Sequence, residues 1–329
     1  MKRQIAIVAC MAALVAWAPA QAQELKFATQ NPKGHPLVTG MEKFAELVAA
    51  KSGGKLKINM FPGGVLGGDQ ANVSALQGGT LEMVVLNSGI LASQVKEFGI
   101  YDFPFMFASS KEADAVVDGP FGKMLHDKLE AKGIVGLAYW ELGFRQITNS
   151  RRAIHKVDDI AGLKLRVIPN AINVDWVKAL GANPTPLAFP EVYAALDQKA
   201  IDGQENPVTV ISANKFYEVQ KHLVMTNHQY NPQSLIFSKK IWDTLGAGDK
   251  KILAEAAVEA GKYQRQVARD AANTALENLK KNGMEVTELA PAELAKFREK
   301  MKPVIAKHSE VVGADVVNAL QAELAKLRK

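Results

Sequence analysis

Three short segments of this sequence concentrate polar residues where chemistry could occur. Arg166 stands in Gly162-Leu163-Lys164-Leu165-Arg166-Val167-Ile168-Pro169-Asn170, flanked by apolar residues and just ahead of a Pro-Asn step into a helical stretch. An arginine at the C-terminal end of a strand lies where α/β sheets meet their ligands, although a lone arginine in a strand is also common surface decoration. Arg145 stands in Gly143-Phe144-Arg145-Gln146-Ile147-Thr148-Asn149-Ser150, directly after a buried strand, and Ile201-Asp202-Gly203-Gln204-Glu205-Asn206-Pro207 packs acid, amide and glycine into one turn. Catalytic patterns are missing: there is no G-x-S-x-G elbow and no H-E-x-x-H pair. The six histidines are scattered, and His222 and His228 are spaced poorly for two ligands from one helix or strand. Gly63-Gly64-Val65-Leu66-Gly67-Gly68 lacks the Lys-Ser/Thr of a phosphate loop, so it reads as a flexible turn, with Asp69 at the N-cap of the next helix. No metal site, no cofactor and no catalytic residue are expected.

The elements that must position these residues follow from periodicity. Leu25–Thr29 predicts a strand, and Leu37, Met41, Phe44, Leu47 and Val48 a helix stopped by Ser52-Gly53-Gly54. Leu56, Ile58 and Met60 alternate with polar residues as a strand with one buried face. Further strands are expected at Met83–Leu86, Ile134–Trp140, Leu163–Ile168, His222–Thr226 and Ser234–Phe237. Helices are expected at Lys111–Lys132 with a break at Gly119-Pro120, and at Ala171–Leu180, Pro190–Gln198 and Val208–Tyr217. Asp249 to about Lys281 holds no proline and one glycine, Gly261. It reads either as one helix of about 50 Å, long enough to run across two domains, or as two helices with an unmarked break. Pro291–Lys329 reads as further helix, interrupted near Pro303. Alternating helix and strand argues for α/β layers with parallel pairing.

With 329 residues, 48% hydrophobic and 22% charged, the chain has ordinary globular composition, which excludes a disordered tail, a collagen, a coiled-coil rod or a small disulfide scaffold. Net charge is +6, and Lys2 and Arg3 supply two of those charges. No basic cluster with interleaved aromatics accompanies it, so nucleic acid is not an expected partner. Lys2-Arg3, the apolar run Ile5–Ala18 and Ala20-Gln21-Ala22 form a signal peptide cleaved after Ala22. Cleavage discards Cys10, the single cysteine, and sends a soluble product to the periplasm.

Together the motifs carry a resemblance. The signal peptide, the Arg145 motif, Lys164-Leu165-Arg166-Val167-Ile168-Pro169-Asn170, Pro184-Thr185-Pro186-Leu187-Ala188-Phe189-Pro190-Glu191-Val192-Tyr193 and Asp202-Gly203-Gln204-Glu205-Asn206-Pro207 resemble, in that order, the DctP-type substrate-binding proteins of tripartite ATP-independent periplasmic (TRAP) transporters. Lys215-Phe216-Tyr217-Glu218-Val219-Gln220-Lys221 and Thr226-Asn227-His228 fit as well. The resemblance implies a two-domain α/β periplasmic-binding-protein fold, type II-like, with hinge strands and a long helix bracing both domains. Beyond the signal segment 1–22, domain I would comprise 23–143 plus 232–271, and domain II 144–231 plus 272–329. It implies that Arg166 pairs with a ligand carboxylate, for which a planar guanidinium offers two parallel hydrogen bonds. Arg145 would support it and Asn206 contact the same carboxylate, with Phe189 and Asn170 lining the pocket and Glu205 beside it. His35, Asp69, Gln70, Asn87 and Ser88 would face the cleft from the first domain, with Trp140, Tyr230 and Asn231 completing the wall. The neutral Asn87-Ser88 pair favours a hydroxylated monocarboxylate, such as a sugar acid, over a second carboxylate, and leaves an aromatic or branched hydroxy acid open. Partners would be that small carboxylate and the TRAP membrane permease subunits, with the protein a monomer and not an enzyme. A periplasmic sensor passing its ligand to a receptor, or an enzyme on the same scaffold, remains as an alternative.

Overall fold

The computed structural model describes residues 22–328. The expected signal segment up to residue 21, with Cys10, lies outside the described residues, as does Lys329.

Alternation of buried Leu25 and Phe27 with exposed Glu24 and Lys26 makes β1 (Gln23–Ala28). α1 (Pro36–Lys51) buries Leu37, Met41, Phe44 and Val48, the expected helical stripe. β2 (Leu56–Phe61), α2 (Asp69–Gly78) and β3 (Met83–Asn87) follow. The N-cap of α2 is Gly68, with extended backbone, and Asp69 is the first helical residue, one position later than its expected capping role. Two 3-10 turns, Ser88–Ser93 and Lys96–Asp102, lead to α3 (Ser110–Val117) and α4 (Pro120–Leu129), parted at Gly119-Pro120 as predicted. Next come β4 (Ile134–Phe144), β5 (Gln146–Asn149), β6 (Lys164–Val167), α5 (Ala171–Ala179) and β7 (Asn183–Pro186). After these stand α6 (Val192–Asp197), β8 (Gly203–Asn206), α7 (Val208–Ala213), β9 (His222–Met225) and β10 (Tyr230–Ser238). The chain closes with α8 (Lys239–Trp242), α9 (Ala247–Lys281), β11 (Glu285–Glu288), α10 (Pro291–Val312) and α11 (Ala314–Leu327).

These strands form two sheets, ordered β2-β1-β3-β10-β4 and β11-β9-β5-β8-β6-β7. β1 pairs in parallel with β2 and β3, while β10 runs antiparallel between β3 and β4. In the second sheet β6 pairs in parallel with β7 and β8, and β5 is antiparallel to β8 and β9. The chain passes between sheets at Arg145, from β4 to β5, and again between β9 and β10. The Arg145 backbone N–H donates to the Gln229 carbonyl at 2.8 Å, so the two crossings lie side by side.

α9 is one uninterrupted helix of 35 residues, about 52 Å long. Its first half packs on α1 and β4, and its second half reaches α7 beneath the second sheet. Two glycines let it approach closely. A Cβ on Gly261 would stand 2.7 Å from Trp140 Cδ1, and one on Gly40 of α1 would stand 2.6 Å from Gln264 Cγ. Gln264 then clamps the β4 backbone, accepting from the Glu141 N–H at 2.9 Å and donating to the Glu141 carbonyl at 2.8 Å.

The tail departs from expectation twice. α10 runs straight through Pro303, which sits on its exposed face, and the break comes at Gly313, whose φ of 109° only glycine adopts readily. α11 then packs on α3 and α4 beside the first sheet, and Arg328 donates to Glu112 and to the Met106 carbonyl. The end of the 272–329 segment therefore does not stay with the second sheet. One apolar core, including Leu86, Phe98, Ile147, Trp176 and Phe297, is shared by both halves.

Candidate functional site

The C-terminal ends of β1 and β3 face those of β6 and β8 across a cavity of about 310 Å³, the position where α/β sheets carry ligands. Thr29, Gln30, Asn31, Asp69, Gln70, Asn87 and Gln233 line it from the first-sheet half, and Arg166, Ile168, Ala188, Phe189, Glu191 and Asn206 from the second. Above it the halves touch. A Cβ on Gly64 would come within 2.9 Å of Pro190 Cγ, and one on Gly68 within 3.3 Å of Ala188 Cβ. The two lips are in contact at these positions.

Arg166 projects from β6 and is 2% exposed. Its Nε donates to the Leu187 carbonyl at 2.9 Å, and its guanidinium carbon lies 5.7 Å from the centre of the Phe189 ring. No carboxylate among the described residues lies within ion-pair distance of it. Burial lowers its pKa to about 10, with Arg145 adding to the fall and Glu205 and Asp69 opposing it, so it stays charged at neutral pH.

Arg145 has the opposite circumstance. It also borders the cavity, but most of its guanidinium is engaged: Nε and one terminal nitrogen hold the Glu205 carboxylate, 2.8 Å from Oε1, that nitrogen also donates to the Glu205 carbonyl, and the other terminal nitrogen donates to Asn231 Oδ1 at 2.7 Å. Burial works to raise the Glu205 pKa, but Arg145 and His228 outweigh it and hold the carboxyl at about 2. Behind this pair lies Asp102, whose Oδ1 accepts from Asn231 at 3.2 Å and whose other oxygen accepts from Asn170. Burial pushes Asp102 up to about 7. The network joins residues of both sheets beneath the cavity floor.

Of the residues expected to bind ligand, Arg166, Arg145, Asn206, Phe189, Asp69, Gln70 and Asn87 border the cavity. The others do not. Glu205 is consumed by Arg145, and Asn231 by Arg145 and Asp102. Asn170 caps α5, accepting from the Asn173 N–H at 3.0 Å. His35 caps α1 through Nδ1, which accepts from Leu37 N–H at 3.1 Å, and lies in the core. Ser88 bonds Ser234 at 2.8 Å, Trp140 donates from Nε1 to the Ala257 carbonyl at 3.0 Å, and Tyr230 donates to Glu141 at 3.0 Å. Each of these seven is bonded to another side chain or to the backbone, as buried polar groups ordinarily are, although His35 Nε2 has no partner. The sequence reading missed Thr29, Gln30, Asn31 and Gln233. Among the described residues no cluster of His, Cys, Asp and Glu could hold a metal ion.

The chain matches the DctP family, described as "Bacterial extracellular solute-binding protein, family 7", over residues 27–310. It is 36% identical over 265 residues to the 2,3-diketo-L-gulonate-binding periplasmic protein YiaO of Escherichia coli, covering 80% of this chain and 81% of that one. Among solved structures, a TRAP periplasmic solute-binding protein of Ochrobactrum anthropi, with its C-terminus bound in the ligand-binding pocket, is 53% identical with a TM-score of 0.83. The match covers 93% of this chain and 96% of that one. The sugar acid binding protein DctPAm of Advenella mimigardefordensis, in complex with galactonate, is 40% identical with a TM-score of 0.91, covering 93% and 98%.

Proposed function

The chain belongs to the DctP family of bacterial extracellular solute-binding proteins, and on that premise we propose that it is the extracytoplasmic solute-binding subunit of a TRAP transporter. It takes one small organic acid into the cleft between its halves and delivers it, unchanged, to membrane permease subunits. Its solute is a hydroxylated monocarboxylate such as a sugar acid, and it works in the periplasm as a monomer. Relatives that bind 2,3-diketo-L-gulonate and galactonate support this solute class.

One observation carries the reading. Arg166 is a buried cation facing a cavity, without a carboxylate partner among the described residues. An uncompensated buried charge costs several kcal/mol, and a ligand carboxylate removes that cost by two parallel hydrogen bonds. Asn206 borders the same end, and its Nδ2 donates to Gln204 Oε1 at 2.7 Å, which fixes the amide in place.

Calorimetry with aldonates, uronates, pantoate, succinate and malate tests this on wild type and Arg166 variants. Truncating one member of a buried charge pair costs about 2–5 kcal/mol, so Arg166→Ala should lose roughly 30- to several-thousand-fold in affinity. Arg166→Lys keeps charge without the two-pronged geometry and should recover part of it. A folded Arg166→Ala protein binding within about threefold of wild type would show that the carboxylate is held elsewhere.

A further inference from the structure

Asp102 ends the second 3-10 turn of the first-sheet half, is fully buried, and does not border the cavity. Its carboxylate nevertheless lies against the start of α5 in the other half. Oδ2 accepts from Asn170 and, at 3.4 Å, from Asn173, and Oδ1 accepts from Asn231 at 3.2 Å. Each of these amides is held in one orientation by a second bond. Asn170 Oδ1 caps α5, Asn173 Oδ1 accepts from Trp176 Nε1 at 2.9 Å, and Asn231 Oδ1 accepts from Arg145 at 2.7 Å. All three therefore turn their amide nitrogens on Asp102. Three fixed donors call for a group that only accepts, which an ionised carboxylate does and an amide does not. Burial works against that charge, and the bonds from Asn170 and Asn231 work for it.

We propose that Asp102 is a positioning residue for solute binding, which sets the two walls of the cavity against each other from behind. The proposal rests on the cleft-binding reading above and adds a residue that acts on the cleft without touching it. On the first-sheet side Gly89 lies directly on the carboxylate: a Cβ there would overlap Asp102 Oδ2. The same short turn begins beside Asn87, which lines the cavity. On the other side Asn170 closes the turn that follows β6, the strand of Arg166. Its N–H donates to the Ile168 carbonyl at 2.7 Å, and Ile168 and Pro169 line the cavity. One carboxylate thus stands between the turn that carries Asn87 and the turn that carries the end of the Arg166 strand.

The chain beyond Asp102 is anchored in the same place. The Gln229 side chain, in the crossing between β9 and β10, donates to the Asp102 carbonyl. Phe105 takes a φ of 57°, a genuine outlier for a bulky side chain. Its N–H donates to the His228 carbonyl at 2.8 Å, and its ring stands edge-on to Phe297 of α10 with centres 5.0 Å apart. Such outliers persist only where the surroundings over-determine them. Residues 102–105 are therefore seated in the second-sheet half at both ends, and the Asp102 carboxylate is the end that meets the cavity walls.

The test compares Asp102→Asn, Asn170→Asp, the two combined, and Asn170→Ser. In Asp102→Asn a donor faces a fixed donor, and in Asn170→Asp two carboxylates meet. The combination restores an acceptor opposite a donor in reverse order, and the new carboxylate still caps α5. Asn170→Ser keeps the cap and is too short to reach Asp102. Gluconate, galacturonate, pantoate, succinate and malate are titrated by calorimetry. The acid that wild type binds best is carried through the variants, with urea denaturation of the ligand-free proteins alongside. Each single variant should bind about tenfold or more weakly, the size of one hydrogen bond to a charged group. The combined variant should bind at least about fivefold tighter than Asp102→Asn or Asn170→Asp alone. A role confined to stability would lower the urea midpoint and leave affinity alone. Folded Asp102→Asn or Asn170→Ser binding within about threefold of wild type therefore overturns the proposal, as does a combined variant no tighter than its two parents. Where Asp102→Asn does not fold, Asn170→Ser decides. Loss in these variants with Arg166→Ala unaffected overturns the Arg166 reading and leaves this one standing. The reverse pattern overturns this one alone, and no binding of any acid overturns both.

Discussion

Arg145 and Arg166 are both buried guanidinium groups at the edge of one cavity, and their surroundings separate their roles. Arg145 is spent on Glu205 and Asn231, so it holds the two chain crossings together, and Arg166 has its face to the cavity. The buried acids near them make stability depend on pH in a direction that can be worked out. Burial raises Asp69 and Asp102 from 3.8 to about 7, so the stability they contribute is full below their unfolded value and is lost as pH rises through about 7. Burial lowers His35 and His126 to about 3, and His228 moves the same way. Those histidines act oppositely, gaining stability as pH rises through their unfolded value of 6.5. Glu205, held at about 2, is ionised in both states above its unfolded value of 4.5 and adds no slope there. Near pH 7 the two sets therefore oppose each other, and the aspartate part is read by difference. The melting temperature of ligand-free wild type, relative to that of Asp102→Asn, should fall as pH rises from about 4 through about 7. Arg145, Glu205, Asn170 and Asn231 face Asp102, and Arg166 and Gln30 face Asp69. Parallel pH profiles for wild type and Asp102→Asn over that range would contradict the assignment.

The two arginines were legible in the sequence because a charged residue among strand-forming apolar ones is conspicuous. The amides lining the first-sheet wall were not. Gln30, Asn31 and Gln233 look like ordinary loop and strand amides, and they meet only because β1, β3 and β10 are neighbours, with Gln233 opposite Asn87. Asn231 was misplaced for a related reason. In a regular strand Asn231 and Gln233 would share a face, but the register slips between Asn231 and Pro232, and such a bulge re-aims side chains without a sequence mark. Asn231 turns to Arg145 while Gln233 keeps the cavity.

At the scale of elements, α9 is what the site leans on. It grips β4 just before the chain crosses at Arg145, through Gln264 on the Glu141 backbone and through Arg269, which bridges Asp114 of α3 to Glu141 at 2.6–2.9 Å. That approach depends on Gly261. Replacing a helical glycine by alanine ordinarily stabilises by roughly 0.5–1 kcal/mol, but here the new Cβ would meet the indole of the fully buried Trp140. Overpacking of that kind costs about 1–3 kcal/mol, so the clash wins. Gly248, on the same helix, has nothing within 4 Å of a built Cβ. Urea denaturation should show Gly261→Ala destabilised and Gly248→Ala unchanged or slightly stabilised. Equal stabilisation of both would mean that the helix is not pressed against β4. The helix was legible because 249–281 offers no proline and a single glycine. The end of α10 was not, because a proline on an exposed helix face loses one backbone bond without necessarily stopping the helix, and the actual stop needed the backbone angle of Gly313.

For the whole molecule, the touching lips of the cleft bear on ligand traffic. The lip formed by the loop between β2 and α2 meets residues 188–190 of the other half, over a cavity whose walls come from both. We expect an acid to enter when the halves part, with the two adjacent chain crossings and α9 as the joints. Closing again removes water and strengthens the Arg166 contact. The lips also offer a direct way to forbid parting. The Cβ positions at Gly68 and Ala188 lie 3.3 Å apart, near the roughly 3.5–4.5 Å span of a disulfide, and Gly68 has an ordinary extended backbone that cysteine tolerates. A chain starting at Gln23 has no cysteine of its own. In that background the pair Gly68→Cys and Ala188→Cys should oxidise to a bridge, detectable by mass. The oxidised, ligand-free protein should then take up the acid that wild type binds best at least about 100-fold more slowly, and dithiothreitol should restore the wild-type rate. Protein oxidised with the acid already inside should retain it through dialysis. Each single cysteine variant should behave as wild type in both experiments. A fully bridged protein that binds at the wild-type rate would show that the acid reaches Arg166 without the lips separating.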